Sequence, residues 1–233
     1  MALYAYKKKK ISSKEVVINR LSRISIIVGL ALMFWALYPV ISFEVYSKFF
    51  LKKDSSSPIL SPTPSLNDLR DLTKASLWFP SVNSQAISQN LNVKEYSLSI
   101  PKLNIEDAKV IVGGDDLKKS LIQFVPTSLP GENGNVVILG HSTLPQLYNI
   151  KDYKTIFTYL PSLNEGDKVE IKLGDQTFVY KIYEMIVVKP EKVSVLKQNF
   201  NDAYLTLITC VPPGTYWNRL VVKAKLVDSI DQF

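Results

Sequence analysis

Three textures of hydrophobic and polar residues follow one another along the 233-residue chain. Residues 24–43 (ISIIVGLALMFWALYPVISF) carry no charge. A helix over that run rises ~30 Å, the thickness of a bilayer's hydrocarbon core. From about Val93 the apolar positions fall into short runs, several alternating with period two, with turn signals between them. That pattern predicts strands at Tyr96–Ile100, Ala108–Ile111, Val136–Leu139, Lys168–Leu173, Thr177–Val188, Tyr204–Thr209 and Arg219–Val227. Gly113-Gly114, Pro130-Gly131, Asn133-Gly134-Asn135, Glu165-Gly166-Asp167, Gly174-Asp175 and Pro212-Pro213-Gly214 break the runs. Two segments have helical character: Asp116–Phe124, and Asp152–Leu160, where an acidic start leads into Ile156, Phe157 and Leu160 before Pro161 stops it. Many short strands and few helices predict one mainly β domain, a barrel or a sandwich.

Between these textures lies a different composition. Asp54–Ser65 (DSSSPILSPTPS) is rich in Ser and Pro, cannot bury a core, and reads as an extended spacer that lifts the β domain off the bilayer. In 66–92, Leu66, Leu69, Leu72 and Leu77 suit a short helix, and Trp78, Phe79 and Pro80 are candidates to dock on the domain. The expected organisation is a basic tail (1–23), a membrane-crossing signal-anchor helix (24–43), a linker with a docking segment (44–93) and a β domain (94–233).

The net charge of +7 sharpens the membrane reading and removes another. Residues 1–23 hold seven basic residues and one acidic one, whereas the other 210 residues carry 21 basic and 20 acidic. The β domain therefore has no electrostatic footprint for nucleic acid. A basic flank before the apolar run predicts a cytoplasmic N-terminus, with everything after Phe43 on the extracytoplasmic side. The run exceeds a signal peptide's h-region of about 7–15 residues, and no A-x-A-like site follows, which favours an uncleaved anchor.

Chemistry enters through three residues. His141 is the only histidine, Cys210 the only cysteine, and Arg219 the only arginine after Arg70. One cysteine cannot form a disulfide within the chain, so it is a buried small hydrophobe, an intermolecular link or a reactive thiol. Alternation puts Leu205 and Leu207 on one face of their strand, with Thr206, Ile208 and Cys210 on the other. In the next strand Leu220, Val222, Ala224 and Leu226 oppose Arg219, Val221, Lys223 and Lys225. If the two strands form a hairpin with the leucine faces inward, Cys210 and Arg219 emerge together. His141 ends the apolar run Val136–Leu139-Gly140. A thiol, an imidazole and a permanently charged guanidinium are a workable set for acyl transfer.

The local sequences around these residues resemble the sortases, membrane-anchored cysteine transpeptidases of the bacterial surface. Thr206-Leu207-Ile208-Thr209-Cys210 is similar to the family's T-L-x-T-C motif. Cys210-Val211-Pro212-Pro213-Gly214, with Arg219-Leu220-Val221-Val222 nine residues after the cysteine, resembles its C-x-P-x-G and R-L-V-V. Pro130-Gly131 through Gly140-His141 is similar to its P-G-x-x-G-N-x-x-x-x-G-H segment. Ser99-Ile100-Pro101-Lys102-Leu103 and Leu163-Asn164-Glu165-Gly166-Asp167 match its first strand and its L-x-x-G-D turn. The likeness covers about residues 95–228.

The resemblance implies a closed eight-stranded β-barrel, with Cys210 as nucleophile, His141 as general acid/base and Arg219 as a clamp on the substrate carbonyl or oxyanion. Thr209, Pro213, Tyr216 and Trp217 become candidates for substrate contacts, as do the 189–203 and 211–218 segments. The implied substrates are secreted proteins with a C-terminal, LPxTG-like sorting signal. The implied acceptor is an amine of the cell wall or of a pilin. Tyr216 and Trp217 stand where many relatives carry an Asn-Thr pair, which makes the rim more apolar. Glu132 and Glu191 lie in loops where calcium-stimulated relatives bind metal, but two isolated glutamates read as surface charges, and no cofactor or metal is expected. Alternative readings are a cysteine peptidase or hydrolase using the same site and a non-catalytic, membrane-tethered binding barrel. Papain-like peptidases place cysteine before histidine, the reverse of this chain, and no His-Gly-Cys of an L,D-transpeptidase occurs.

Overall fold

The computed structural model describes residues 13–53, 73–79, 93–124 and 127–231. The Lys7–Lys10 cluster and the Ser/Pro stretch lie outside them. Helix α1 (Ser13–Phe50) contains the uncharged run and extends past both of its ends. Its 38 residues rise ~57 Å, so several turns project beyond a hydrocarbon core of ~30 Å. Within the run Leu32 and Phe34 are largely exposed to the surroundings, as suits a helix whose solvent is lipid. Its C-terminal half packs on protein: Gln146 Nε2 donates to Trp35 O at 3.1 Å, Pro39 is buried and Phe43 joins the main core.

Among the described residues nine strands follow: β1 (Lys52–Lys53), β2 (Glu95–Ile100), β3 (Ile105–Val112), β4 (Leu121–Gln123), β5 (Gly134–Leu139), β6 (Lys168–Leu173), β7 (Gln176–Val188), β8 (Ala203–Val211) and β9 (Asn218–Asp231). Eight of them run in the order β7-β6-β2-β3-β4-β5-β8-β9, and pairing of β7 with β9 closes the ring. This is the expected closed eight-stranded barrel. β6 pairs with the first half of β7, and β1 pairs in parallel with Ile186 and Val187 of its second half. The chain thus meets the barrel at Lys52 and Lys53, ahead of the Ser/Pro stretch, which lies outside the described residues.

Alternation sorts the strand residues into two apolar clusters. Leu205, Leu207, Leu220, Val222 and Ala224 face the interior with Val136 and Ile138. Val137, Leu139, Ile208, Cys210 and Val221 face outward into a second cluster, roofed by Trp78, Phe79, Leu117, Phe124 and Val195. β5 is buried at all six positions because both of its faces are covered, which is why it reads as an unbroken apolar run.

Two expected helices are not helices. Asp116–Phe124 is a turn followed by strand β4, because Leu121, Ile122 and Phe124 are all buried and cannot be served by a one-faced helix. Asp152–Leu160 winds as successive turns. Thr155 N donates to Asp152 O, Thr158 N to Thr155 O and Leu160 N to Phe157 O, all three-residue spacings, ending in a 3-10 turn at Leu160–Ser162. In the expected helix within 66–92, Leu66, Leu69 and Leu72 lie outside the described residues, and Ala75–Leu77 is a 3-10 turn.

Candidate active site

Three adjacent strands deliver the three residues. β8 lies between β5, which is parallel to it, and β9, which is antiparallel. Cys210 and Arg219 are directly paired across β8 and β9. On the other side the parallel register runs from Gly134↔Ala203 to Leu139↔Ile208, and Gly140 N donates to Ile208 O at 3.1 Å. His141 therefore leaves β5 level with Cys210, on the outward face already set by Val137 and Leu139. Neighbouring strands lie ~4.8 Å apart, so the topology alone makes imidazole, thiol and guanidinium neighbours.

Short polar contacts hold this junction. The Thr209 hydroxyl donates to Gly140 O at 2.8 Å, and the Ser142 hydroxyl donates to Cys210 O at 2.6 Å. Phe157 N donates to His141 O at 2.9 Å. Gly140 is required by close approach, since a Cβ there would lie 2.4 Å from the Phe157 ring and 2.6 Å from Leu121. In the connection after Cys210, Gly214 has φ +82°, and a Cβ would meet Leu144 at 2.6 Å. Thr209 is fully buried as a brace between strands, and Pro213 is buried, while Tyr216 and Trp217 are exposed on the β8–β9 connection.

The site is roofed. Trp78 is 0% exposed, with its ring edge-on to the His141 ring at 5.7 Å and the Arg219 guanidinium carbon 5.0 Å above its centroid. The second contact has cation–π geometry. The segment bearing Trp78 is pinned to the barrel: Ala75 N donates to Asp115 O, Ser76 N to an Asp115 carboxylate oxygen, and Leu117 N to Thr73 O. Under this roof Cys210 is 5% exposed and Arg219 2%. Burial pushes the thiol above its ordinary range, and the Arg219 charge offsets only part of that. Arg219 donates through one terminal nitrogen to Tyr216 O and Asn218 O, at 3.2 and 3.3 Å. Its Nε has no hydrogen-bond partner among the described residues, a buried donor available to a developing negative charge.

The β7–β8 connection, residues 189–202, forms another wall. Asn135 N donates to Gln198 Oε1 and Gln198 Nε2 to Asn135 O, both at 2.9 Å. Asn135 Nδ2 donates to Lys197 O, and the Thr206 hydroxyl donates to Asn135 Oδ1 at 2.7 Å. These bonds fix the 3-10 turn Val193–Leu196, whose Val195 packs in the cluster with Cys210. The bonds between Asn135 and Gln198 and the reach of Trp78 to His141 and Arg219 were not legible in the sequence. Asn135 stands both in the Asn133-Gly134-Asn135 turn and in the P-G-x-x-G-N segment, neither of which identifies its partner. Among the described residues no group of three His, Cys, Asp or Glu could hold a metal ion, and Glu132 accepts from Leu129 N at 3.0 Å.

This arrangement has known counterparts. The Sortase domain model matches residues 98–227, more than half of the chain. Sortase D of Bacillus subtilis strain 168 is 29% identical over 135 residues, which cover 56% of this chain and 62% of that protein. The match thus spans less than two thirds of that relative's length. A Clostridium perfringens Sortase D5 transpeptidase superposes with a TM-score of 0.50 at 29% identity, covering 58% of this chain and 79% of the other. Sortase A from Corynebacterium diphtheriae superposes with a TM-score of 0.51 at 31% identity, covering 58% and 61%. With a closed eight-stranded barrel and a family match running through β5, β8 and β9, the chain belongs to the sortase family.

Proposed function

We propose that this chain is a membrane-anchored cysteine transpeptidase that cleaves a C-terminal, LPxTG-like sorting signal of secreted proteins. The acyl group passes to an amine of the cell wall or of a pilin. The observation that carries the reading is the lateral order His141, Cys210, Arg219 across three hydrogen-bonded strands, with the nucleophile in the middle.

In the first half-reaction Cys210 Sγ, as thiolate, attacks the scissile carbonyl carbon. The carbonyl oxygen takes up negative charge beside Arg219, whose planar fork stays charged at any working pH. The C–N bond breaks, His141 gives its proton to the leaving nitrogen, and a thioester remains on Cys210. In the second half the acceptor nitrogen attacks that carbonyl, its proton passes to His141, and the C–S bond breaks to restore the thiolate. Exposed Tyr216 and Trp217 offer an apolar rim to the peptide. In this reading α1 crosses the membrane with its N-terminus in the cytoplasm, and the barrel works on the outer face.

Intact-mass spectrometry tests the reading. The full chain in detergent micelles is incubated with a panel of sorting-signal peptides, with and without amine acceptors. The expected result is a peptide-mass adduct in wild type and none in Cys210→Ala, discharged to an amine-linked product. Discharge to free acid alone would make the protein a hydrolase. No adduct across the panel would leave a binding barrel.

A further inference from the structure

We propose that the recess between the β7–β8 connection and the outward face of the β8–β9 hairpin binds acidic side chains of the acyl-donor protein, N-terminal to the scissile bond. The proposal rests on the transpeptidase reading above and adds a recognition site to it.

The recess has a volume of about 400 Å³ and is lined by Lys197, Lys223, Lys225, Tyr183 and Tyr204, among others, none of them acidic. Lys223 meets Glu184 at 2.9 Å and Lys225 meets Asp202 at 2.7 Å. Both pairs are partly exposed, and such pairs contribute little, so an incoming carboxylate can share either lysine. Lys197 has no ion pair among the described residues. The recess is built in advance by the Asn135–Gln198 bonds, which hold the wall carrying Lys197.

Strand register ties the recess to the chemistry. On one face the pairs run Cys210↔Arg219, Ile208↔Val221, Thr206↔Lys223 and Tyr204↔Lys225. At ~3.3 Å per residue the two lysine pairs lie ~13 and ~20 Å from the catalytic pair, a span of about four to six residues of extended peptide. The direction of that peptide follows from the other end of the hairpin. There Pro213 lines an open apolar cavity with Tyr38, Phe43 and Tyr46 of α1, so the helix flanks that end of the hairpin. The donor's body lies N-terminal to its sorting signal, so it leaves across the lysine end. The same lysines repel a protonated amine acceptor.

The test uses the full chain carrying Cys210→Ala, in micelles, with fluorescently labelled LPxTG peptides. These are extended on the N-terminal side by three Glu, three Ser or three Lys placed four to six residues from the scissile bond. Fluorescence anisotropy is expected to show the Glu peptide binding about fivefold tighter than the Ser peptide (~1 kcal/mol), and the Lys peptide weaker than both. The gain should shrink as salt rises. Combining Lys197→Glu with Lys225→Glu should abolish it, Lys197→Gln should reduce it, and Lys118→Glu with Lys119→Glu, outside the recess lining, should leave it intact. Equal binding of the three peptides, no binding of any, the same loss from the Lys118/Lys119 reversal, or an equal gain with the Glu residues moved C-terminal to the motif would overturn the proposal. The Cys210 adduct in wild type is scored separately. An adduct without acidic preference removes the subsite alone, and acidic preference without an adduct removes the chemistry alone.

Discussion

At the scale of single residues, Trp78 decides how the thiol behaves. Its indole roofs His141 and Arg219, Cys210 is buried in the same cluster, and burial pushes the thiol above its ordinary range. Trp78→Ala should raise the rate of Cys210 modification by a small methanethiosulfonate roughly tenfold or more, because thiol reactivity follows exposure and thiolate fraction. The folded thiol's raised pKa has a defined sign. Its contribution to the roofed arrangement is fully present below the ordinary value of 9.0 and is lost as pH rises through the elevated one. The difference between wild type and Trp78→Ala should therefore narrow in alkaline buffer, and a gap that widens with pH would contradict the burial account. Arg219→Lys retains the charge but loses the planar fork. It should lower kcat by roughly 10²–10³, the usual loss when an oxyanion donor is removed. A near-normal rate in that variant would remove Arg219 from the proposed mechanism.

At the scale of elements, the site is a matter of register. The period-two alternation in β8 and β9 made the shared face of Cys210 and Arg219 legible from residues alone, and the direct pairing of the two confirms it. His141 could be placed at a strand end, but its neighbour could not be read, because a parallel β5–β8 contact joins segments about seventy residues apart with no turn to announce it. The β4 error has a similar cause. A three-residue strand buried on every side has no period, and Asp116 with Leu117 imitates a helix start. The β7–β8 connection depends on side-chain bonds instead. Gln198→Ala removes both partners of the Asn135 backbone, so amide exchange over residues 193–199 should accelerate by an amount equivalent to about 1–3 kcal/mol. Unchanged protection there would mean that packing of Val195 alone holds the wall.

At the scale of the whole molecule, the barrel core carries its own titration. Tyr180 is fully buried, with its hydroxyl accepting from Gly131 N at 2.9 Å, and burial raises it from 10.0 to about 12. Tyr96 is likewise raised well above its ordinary value, first by burial and then by Tyr180. Both phenols favour folding while neutral. That contribution is complete below pH 10 and is lost as pH climbs from 10 through 12. Thermal unfolding in this window should show Tm falling with pH, less steeply in Tyr180→Phe.

The short pairing of β1 with β7 has a consequence for where the protein can work. α1 ends at Phe50 and the chain is stitched to the barrel at Lys52 and Lys53, which, with α1 across a bilayer as proposed, leaves almost no slack between bilayer and barrel. In the proposed reading, a transpeptidase on so short a leash does not sweep a volume. It searches a plane, and a donor carried in the same plane meets it at the local concentration that confinement sets, not at the bulk value. Modest turnover of dissolved peptides would then be compatible with efficient work on partners confined to the same surface.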